Sequence, residues 1–330
     1  MAEKAVGILG IGSYVPEKVM TNKDLEKILD TADEWIVERT GIRARRIAAE
    51  DQTTSDLAFI AAERALKDAN VTAEELDLII VATVTPDMVF PSVACLLQDR
   101  LKASKAAAFD LTAVCSGFLY GMAVGTNFIK AGTYEKVLVI GAETLSKITD
   151  WTDRGTAILF GDGAGAVVLG ETESGYGILG SHLGADGAGG DLLKVPAGGS
   201  KSPASSDTIE KRLHYISMNG NEVFKFAVKI MGEAANKALE QAHLTADDVT
   251  YLVPHQANYR IIQSAAKRLK LPLDRVVINV DKYGNTSAAS VPIALDEGVK
   301  SGLIKKGDVI VLVGFGGGLT WGASVIKWDH

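Results

Sequence analysis

Apolar residues along the chain fall into short unbroken runs, and the stretches between them are amphipathic. Ala5–Ile11 (AVGILGI), Leu76–Thr83 (LDLIIVAT), Ala107–Leu111 (AAFDL), Lys136–Ile140 (KVLVI) and Tyr251–Val253 (YLV) show little apolar–polar alternation. Runs of that length and character predict strands of a sheet covered on both faces. Thr54–Ala69 carries alanines and leucines at helical spacing, and Thr21–Leu29 reads as a second helix capped by Thr21 or Asn22. A further helix precedes Ala107, and another opens at Cys115 or just after it and runs to Lys130. Strands alternating with helices predict an α/β architecture with parallel strands. Ser181–Asp207, rich in Gly, Ser, Ala and Pro, reads as a long irregular segment of the kind that forms lids, binding loops or linkers.

The second half repeats the first. Ala61–Leu76 aligns without a gap on Ala234–Val249, an offset of 173 residues, with seven identities and the acidic pair Glu74/Glu75 replaced by Asp247/Asp248. The same offset carries Val137–Gly141 (VLVIG) onto Ile310–Gly314 (IVLVG). A shared offset over distant segments identifies two similar α/β halves, taken here as residues 1–172 and 173–330. A chain of 330 residues also exceeds what one hydrophobic core usually serves.

The helix after Ala107–Leu111 has Gly117, Gly121 and Gly125 on one face. Each glycine costs about 1 kcal/mol in a helix interior, so the stripe implies close packing, most simply against another helix. Position 288, the counterpart of Cys115, lies in KYGNTSAASVPIA, where Ser287, Ala288, Ala289, Ser290 and Ala294 supply a second small-residue face. The expectation is that the two helices pack along these faces and bring Cys115 and Asn285 together. A thiol at a helix N-terminus is favoured as thiolate, although a buried free Cys also serves as a small core hydrophobe. The segment alone leaves both readings open.

Bulk properties narrow the field. The chain is 47% hydrophobic and 23% charged, ordinary values for a globular protein, and has no apolar run near the ~20 residues of a membrane helix. Its start, MAEKAVGILGIG, lacks the apolar core of a signal peptide. A net charge of −7 argues against general nucleic-acid binding. Two cysteines form at most one bridge, so a reduced, cytoplasmic protein is expected; Cys95 is read as a core residue. Cys and His spacing matches no metal site. Gly10–Val15 (GIGSYV) lacks the third glycine of a dinucleotide loop, and Pro16 follows at once. Asp33–Ala48, with Trp35, Arg39, Arg43, Arg45 and Arg46, reads either as a solvated charged face or as a site where Trp stacks a base and Arg binds phosphate.

A thiolate nucleophile needs a nearby base or cation and a place for the developing oxyanion. Among five histidines, His255 ends a buried strand in YLVPHQAN, and strand C-termini are where sites form in parallel sheets. The terminal GFGGGLTWG, Gly314–Gly322, permits close backbone approach to a reacting group.

Together, AVCSGF around Cys115, HQAN at His255–Asn258, YGNTS around Asn285 and GFGGG at Gly314–Gly318 resemble the signatures of the β-ketoacyl-acyl-carrier-protein synthase III family, the initiating condensing enzymes of type II fatty-acid synthesis. The resemblance spans the chain and implies a thiolase-like, five-layered αβαβα fold built from two duplicated halves. It implies Cys115, His255 and Asn285 as catalytic residues, with the backbone N–H groups of Cys115 and Gly317 as oxyanion hole. Trp35, Arg39 and Arg154 match positions that contact CoA, while Asn221 and Asn258 match a pantetheine channel. Phe90 matches a residue that reaches into a dimer partner's acyl pocket. Lys225, Arg260, Lys267 and Arg268 match a basic patch for the acidic acyl carrier protein. The implied substrates are acyl-CoA and malonyl-acyl-carrier protein, with no cofactor and a homodimeric assembly. Elongation synthases and thiolases use Cys–His–His and Cys–His–Cys, so Asn285 separates this chain from them. Rival readings are a starter-type condensing enzyme of a polyketide or signalling pathway, a catalytically silent acyl-binding subunit, and a hydrolytic Cys–His–Asn enzyme.

Overall fold

The computed structural model describes residues 4–330. Its first half runs β1 (Val6–Tyr14), β2 (Lys18–Thr21), α1 (Asn22–Leu25), α2 (Asp33–Thr40), β3 (Ala44–Ile47), α3 (Thr54–Ala69), β4 (Leu78–Ala82), α4 (Val93–Arg100), β5 (Ala107–Leu111), α5 (Gly117–Lys130), β6 (Val137–Thr144), α6 (Arg154–Ala157) and β7 (Asp162–Glu171). The second runs β8 (Gly177–Ala185), β9 (Leu193–Lys194), α7 (Ser206–Glu210), β10 (Ser217–Met218), α8 (Gly220–Gln241), β11 (Tyr251–Pro254), α9 (Tyr259–Arg268), α10 (Val280–Tyr283), α11 (Ser290–Lys300), β12 (Val309–Gly316) and β13 (Thr320–Lys327). The two large sheets have the orders β1-β7-β6-β4-β5 and β11-β12-β13-β8, and β2 with β3 and β9 with β10 form two-stranded ribbons. Parallel pairing holds for β4 with β5 and β6, and for β11 with β12; the remaining pairs in these sheets are antiparallel. No helix among the described residues is long and apolar enough to cross a membrane.

The unbroken apolar runs follow from the pleat, which sends alternate residues to opposite faces. Leu78 and Ile80 of β4, Val137 and Val139 of β6, and Ile310 and Leu312 of β12 face a central core with Phe118, Leu119 and Met122 of α5 and Val291 and Leu295 of α11. Their neighbours Ile79, Val81, Leu138 and Ile140 face α3 and α4 instead. Val311 and Val313 likewise face α8 and α9. Both faces are therefore dry, and each fully buried Val, Leu or Ile contributes about 1.5–3 kcal/mol. The result is five layers: α3 and α4, a sheet, α5 and α11, a sheet, α8 and α9.

The repeat extends to backbone detail. Single 3₁₀ turns at Ala73–Glu75 and Ala246–Asp248 each carry a capping box, from Thr72 and Thr245. The turns Val114–Ser116 and Ser287–Ala289 precede α5 and α11, and their first residues share a left-handed backbone, φ 49° at Val114 and 47° at Ser287. The halves differ at the counterpart of β5, where the chain forms α10 and leaves only a bridge between Leu252 and Val276.

Several expectations need correction. The glycine stripe of α5 packs on a sheet, not on another helix. A Cβ would lie 2.8 Å from Val139 at Gly121, and 3.0 Å from Val137 at Gly125 and from Ala82 at Gly117. Gly163 and Gly165 of β7 face Ile293 and Pro292 of α11 in the same way. The two central helices thus both rest on the first sheet, which approaches them closely because glycine leaves room.

Thr21 does cap a helix, through a capping box with Asp24, but that helix ends at Leu25. Ser181–Ala185 belong to β8, held by antiparallel pairing with β13. Arg45, expected in a charged surface run, is fully buried, donating to Asn22 Oδ1 at 2.8 Å and to the carbonyl of Ile158 at 2.7 Å. Cys95 is exposed, because the inward face of α4 is occupied by Val93, Ala94 and Leu97.

A tight joint between the halves is Gly141 of β6 against the carbonyl of Ala288, where a Cβ would lie 2.2 Å from oxygen. Gly141→Ala must push the Ser287–Ala289 turn off the strand. It is expected to destabilise the fold by about 1–3 kcal/mol, read as a lower urea midpoint with unchanged m-value.

Candidate active site

Cys115 sits in the 3₁₀ turn that links β5 to α5, with the helix proper starting at Gly117. The turn is tied to the C-terminal hairpin: Ser116 Oγ donates to the Ala113 carbonyl at 2.8 Å, and Thr320 Oγ1 reaches the same carbonyl at 2.9 Å. Gly316 passes so close that a Cβ there would stand 2.5 Å from the Cys115 nitrogen. Only glycine allows that approach. Gly317 follows, and a Cβ there would meet the Leu193 carbonyl at 2.9 Å.

His255 follows β11 and is fixed on several sides. Its N–H donates to the Val313 carbonyl at 2.7 Å, and the edge of its ring meets Phe315 with centroids 5.5 Å apart. The neighbouring Gln256 brackets the loop from within, donating to the Pro254 and Val277 carbonyls and accepting from the N–H groups of Asn279 and Val280. His255 Nδ1 lies 2.6 Å from Ser290 Oγ, and that oxygen accepts from the Gln256 N–H at 3.4 Å. Among the described residues Nδ1 is the acceptor within reach of the Ser290 hydroxyl proton, which assigns the neutral ring its own proton at Nε2. Burial depresses the His255 pKa to about 3, so the ring is neutral at physiological pH.

Asn285 is held through its backbone, donating to the Leu159 carbonyl at 2.8 Å and accepting from Gly161 at 3.0 Å. Its Oδ1 accepts from the Ser287 N–H at 2.8 Å, leaving the amide nitrogen as the donor. Cys115, His255 and Asn285 line one cavity of about 90 Å³ together with Phe315 and Gly316. The convergence expected from the repeat is therefore present.

That cavity is a throat. On the outside it shares Leu159, Met218, Gly220, Phe224 and Asn258 with a cleft of about 880 Å³ that opens to the surface. Trp35, Arg39, Asn221, Asn258 and Arg260 all line this cleft. The guanidinium groups of Arg39 and Arg154 lie over the Trp35 ring, 4.5 and 4.8 Å from its centroid. Asn258 caps α9 through the Arg260 N–H at 2.8 Å and donates to the Arg39 carbonyl at 2.9 Å, joining α2 to α9 at the rim.

Beyond Cys115 lies an apolar cavity of about 110 Å³ walled by Val84, Val114, Leu145, Ile148, Phe160 and Ile216, among others. Phe90 lines none of these cavities; it is 82% exposed beside Met88 and Val89. Lys225 lies on α8, and Arg260, Lys267 and Arg268 on the adjoining α9, all four exposed. The stem of Arg268 lies against Gly232, where a Cβ would come within 2.5 Å of its Cδ. Among the described residues no cluster of three His, Cys, Asp or Glu side chains is placed to hold a metal ion.

The electrostatics correct one expectation. Burial pushes the Cys115 thiol up to about 12, and the nearby Glu143 carboxylate adds to the rise. The helix dipole does not produce a resting thiolate here. Residues unforeseen from sequence are Ser290, Phe315, Ser287 and Glu143. Ser287 and Ser290 were legible only as small residues on a packed face, and the contact that gives Ser290 its role spans 35 positions.

Five layers, a duplicated topology and a cysteine where the halves meet define a thiolase-like condensing enzyme, an acyltransferase class. Family models for 3-oxoacyl-[acyl-carrier-protein (ACP)] synthase III match residues 109–187 and, for its C-terminal part, 239–328. The β-ketoacyl-[acyl-carrier-protein] synthase III of Caldanaerobacter subterraneus subsp. tengcongensis is 64% identical over 330 residues, covering 100% of both chains. The crystal structure of 3-oxoacyl-[acyl-carrier-protein] synthase III from Aquifex aeolicus VF5 matches with TM-score 0.91 and 49% identity, over 98% of this chain and 100% of that one. The priming β-ketosynthase of the R1128 polyketide pathway also reaches 0.91, at 36% identity over 99% and 97% of the two chains. The chain belongs to the β-ketoacyl-[acyl-carrier-protein] synthase III family.

A neutral, Nε2-protonated His255 is directly observable. Nitrogen-15 histidine spectra should show that tautomer at neutral pH and no protonation of His255 as pH falls through 6.5, the change waiting until about 3. Because the unfolded chain takes up that proton first, stability falls as pH drops through this window. Ser290→Ala should mix the tautomers, and a titration midpoint near 6.5 in the folded wild type would contradict the assignment.

Proposed function

We propose that this chain condenses a short acyl-CoA primer with malonyl-acyl-carrier protein, giving 3-oxoacyl-acyl-carrier protein, CoA and CO2 in the first condensation of type II fatty-acid synthesis. The observation that carries the reading is the meeting of Cys115, His255 and Asn285 in one throat between a polar surface cleft and an apolar pocket. Cys115 Sγ attacks the thioester carbonyl, the bond to the CoA sulfur breaks, and the acyl group moves into the apolar pocket. Each methylene buried there contributes about 0.8 kcal/mol, so pocket volume selects the primer.

Malonyl-acyl-carrier protein then enters by the same cleft. The Nε2–H of His255 and the amide of Asn285 donate to its thioester oxygen and stabilise the enolate as CO2 departs. A neutral imidazole suits this task, since a donor that keeps its proton cannot quench the carbanion. The enolate carbon attacks the acyl-cysteine, and the tetrahedral oxyanion is held by the N–H groups of Cys115 and Gly317. No metal or redox cofactor enters these steps.

Trp35, Arg39 and Arg154 form the CoA end of the cleft, and Asn221 and Asn258 flank the pantetheine path. Lys225, Arg260, Lys267 and Arg268 offer an acidic carrier protein a local positive surface on a chain of net charge −7, an arrangement that chiefly raises the association rate. The exposed Met88–Phe90 loop is the natural contact for a second copy, with Phe90 completing the partner's acyl pocket in a cytoplasmic homodimer. A polyketide primer role shares the fold, but the 64% identity with a fatty-acid enzyme against 36% with the polyketide one favours the fatty-acid role.

Radiolabelled acyl-CoA should label the wild type at Cys115 and leave Cys115→Ala unlabelled; a labelled variant would remove Cys115 as nucleophile. His255→Ala and Asn285→Ala should each lower malonyl decarboxylation by about 10²–10³ while sparing acyl transfer, and the reverse pattern would refute their roles. Neutralising Arg260 and Lys267 should raise the KM for carrier protein and flatten its salt dependence, with CoA-dependent acyl transfer little changed.

A further inference from the structure

Attack by Cys115 releases a proton that neither His255 nor Asn285 takes up, and an unused carboxylate lies close behind the thiol. Glu143, at the end of β6, is completely buried. Its Oε2 accepts from Thr85 Oγ1 at 2.6 Å, from Thr83 Oγ1 at 3.2 Å and from the Val84 N–H at 3.1 Å. Its Oε1 is the less engaged oxygen, with a long contact from the Val84 N–H at 3.3 Å. Between this carboxylate and the cysteine stands Ser287, which is 1% exposed and whose hydroxyl, among the described residues, reaches hydrogen-bond geometry with no single partner although the thiol and the carboxylate both lie close to it. A buried hydroxyl without a partner is uncommon and calls for an explanation. Ser287 lines the apolar pocket together with Cys115, and it stands near enough to the thiol and to Glu143 to favour the charged form of each. Its position is built in: the joint of Gly141 with Ala288 sets this turn on β6, two residues before Glu143.

We propose that Ser287 passes the Cys115 proton to Glu143 as the cysteine attacks the acyl-CoA, and that Glu143 holds this proton until the cysteine is released. The inference rests on the acyl-transfer reading above. In the loading step the S–H bond breaks as the bond from sulfur to the acyl carbon forms. The thiol proton moves to Ser287 Oγ, and the Ser287 proton moves to Glu143 Oε1. The departing CoA thiolate takes a proton from water in the cleft. In the condensation step the Cys115–acyl bond breaks, and the leaving sulfur recovers its proton from Glu143 by the same path. Ser287 and Glu143 end as they began, and the one proton consumed over the cycle comes from solvent.

Electrostatics supports the arrangement. A resting thiolate beside an ionised Glu143 would place two like charges in one dry site, which is costly. Moving the proton along the relay never places more than one negative charge there. Burial raises Glu143 to about 7, within reach of neutral pH as an acceptor. The high value of Cys115 arises partly from the charge of Glu143, so the two titrate as a coupled pair. The groups facing Glu143 are the Cys115 thiol from the turn before α5, the hydroxyls of Thr83 and Thr85 and the Val84 N–H after β4, and the Ser287 hydroxyl from the turn before α11. Behind Thr85, α3 contributes the hydroxyl of Thr54.

The test is the rate of Cys115 alkylation by iodoacetamide on the full chain, read by intact mass from about pH 5 to about pH 10, beside single-turnover acylation from acetyl-CoA. The wild-type rate should rise with a midpoint near the Glu143 value. Glu143→Gln and Ser287→Ala should both move the midpoint up by at least about one pH unit and slow acylation at neutral pH by about tenfold or more. Ser287→Ala removes a single hydroxyl that no strong hydrogen bond holds at rest, so it keeps the test open if Glu143→Gln does not fold. Superimposable profiles would overturn the relay. A midpoint that moves down in Glu143→Gln would overturn it too, marking the carboxylate as a repelling charge alone. Failure of the wild type to take an acyl group on Cys115 would instead sink the acyl-transfer reading beneath it.

Discussion

The structure depends on backbones from two halves approaching each other with no side chain between them. Gly141 admits the carbonyl of Ala288, and Gly316 admits the nitrogen of Cys115. Each contact presses one of the paired 3₁₀ turns against a strand of the opposite half. The turns themselves open with a left-handed residue, Val114 or Ser287, at matching positions. An interior packed as densely as an organic crystal does not yield by an ångström, so these contacts set where Cys115 and Asn285 stand. The glycine stripe of α5 serves the same end from the other side, letting the helix settle on β4 and β6.

Burial then decides the chemistry. Taking His255 out of water keeps it neutral, and the chain from the Gln256 N–H through Ser290 Oγ to Nδ1 leaves its proton at Nε2. Taking Cys115 out of water opposes the thiolate. One environment thus makes a good hydrogen-bond donor and a poor resting nucleophile. A site of this kind needs its proton movements coupled to bond making, and the serine and carboxylate beside the thiol are the groups positioned for that.

The outer parts of the site obey simpler rules. The cleft that holds Trp35 and its two arginines is wide and polar, while the pocket past Cys115 is small and apolar. In the proposed reaction this would place the substrate's polar handle and its acyl end on opposite sides of the throat, with the reacting carbonyl beside the three converging side chains.

Much of this was legible in the one-dimensional pattern. Unbroken apolar runs announced a sheet covered on both faces, and Thr54–Ala69 was readable as a helix to the residue. The 173-residue offset revealed the duplication, and Cys115, His255 and Asn285 stood at turns next to buried strands. Local patterning carries such information because strand alternation and helix spacing are properties of neighbouring residues. What the stripe on α5 packs against, that Arg45 is buried and Cys95 exposed, and that the region from Ser181 is a strand depend on partners far along the chain. So do the charge states of the site. Ser290, Ser287 and Glu143 look like any small or acidic residue in sequence; only tertiary structure brings them against a histidine and a thiol, because burial and pairing are set by distance in space and not along the chain.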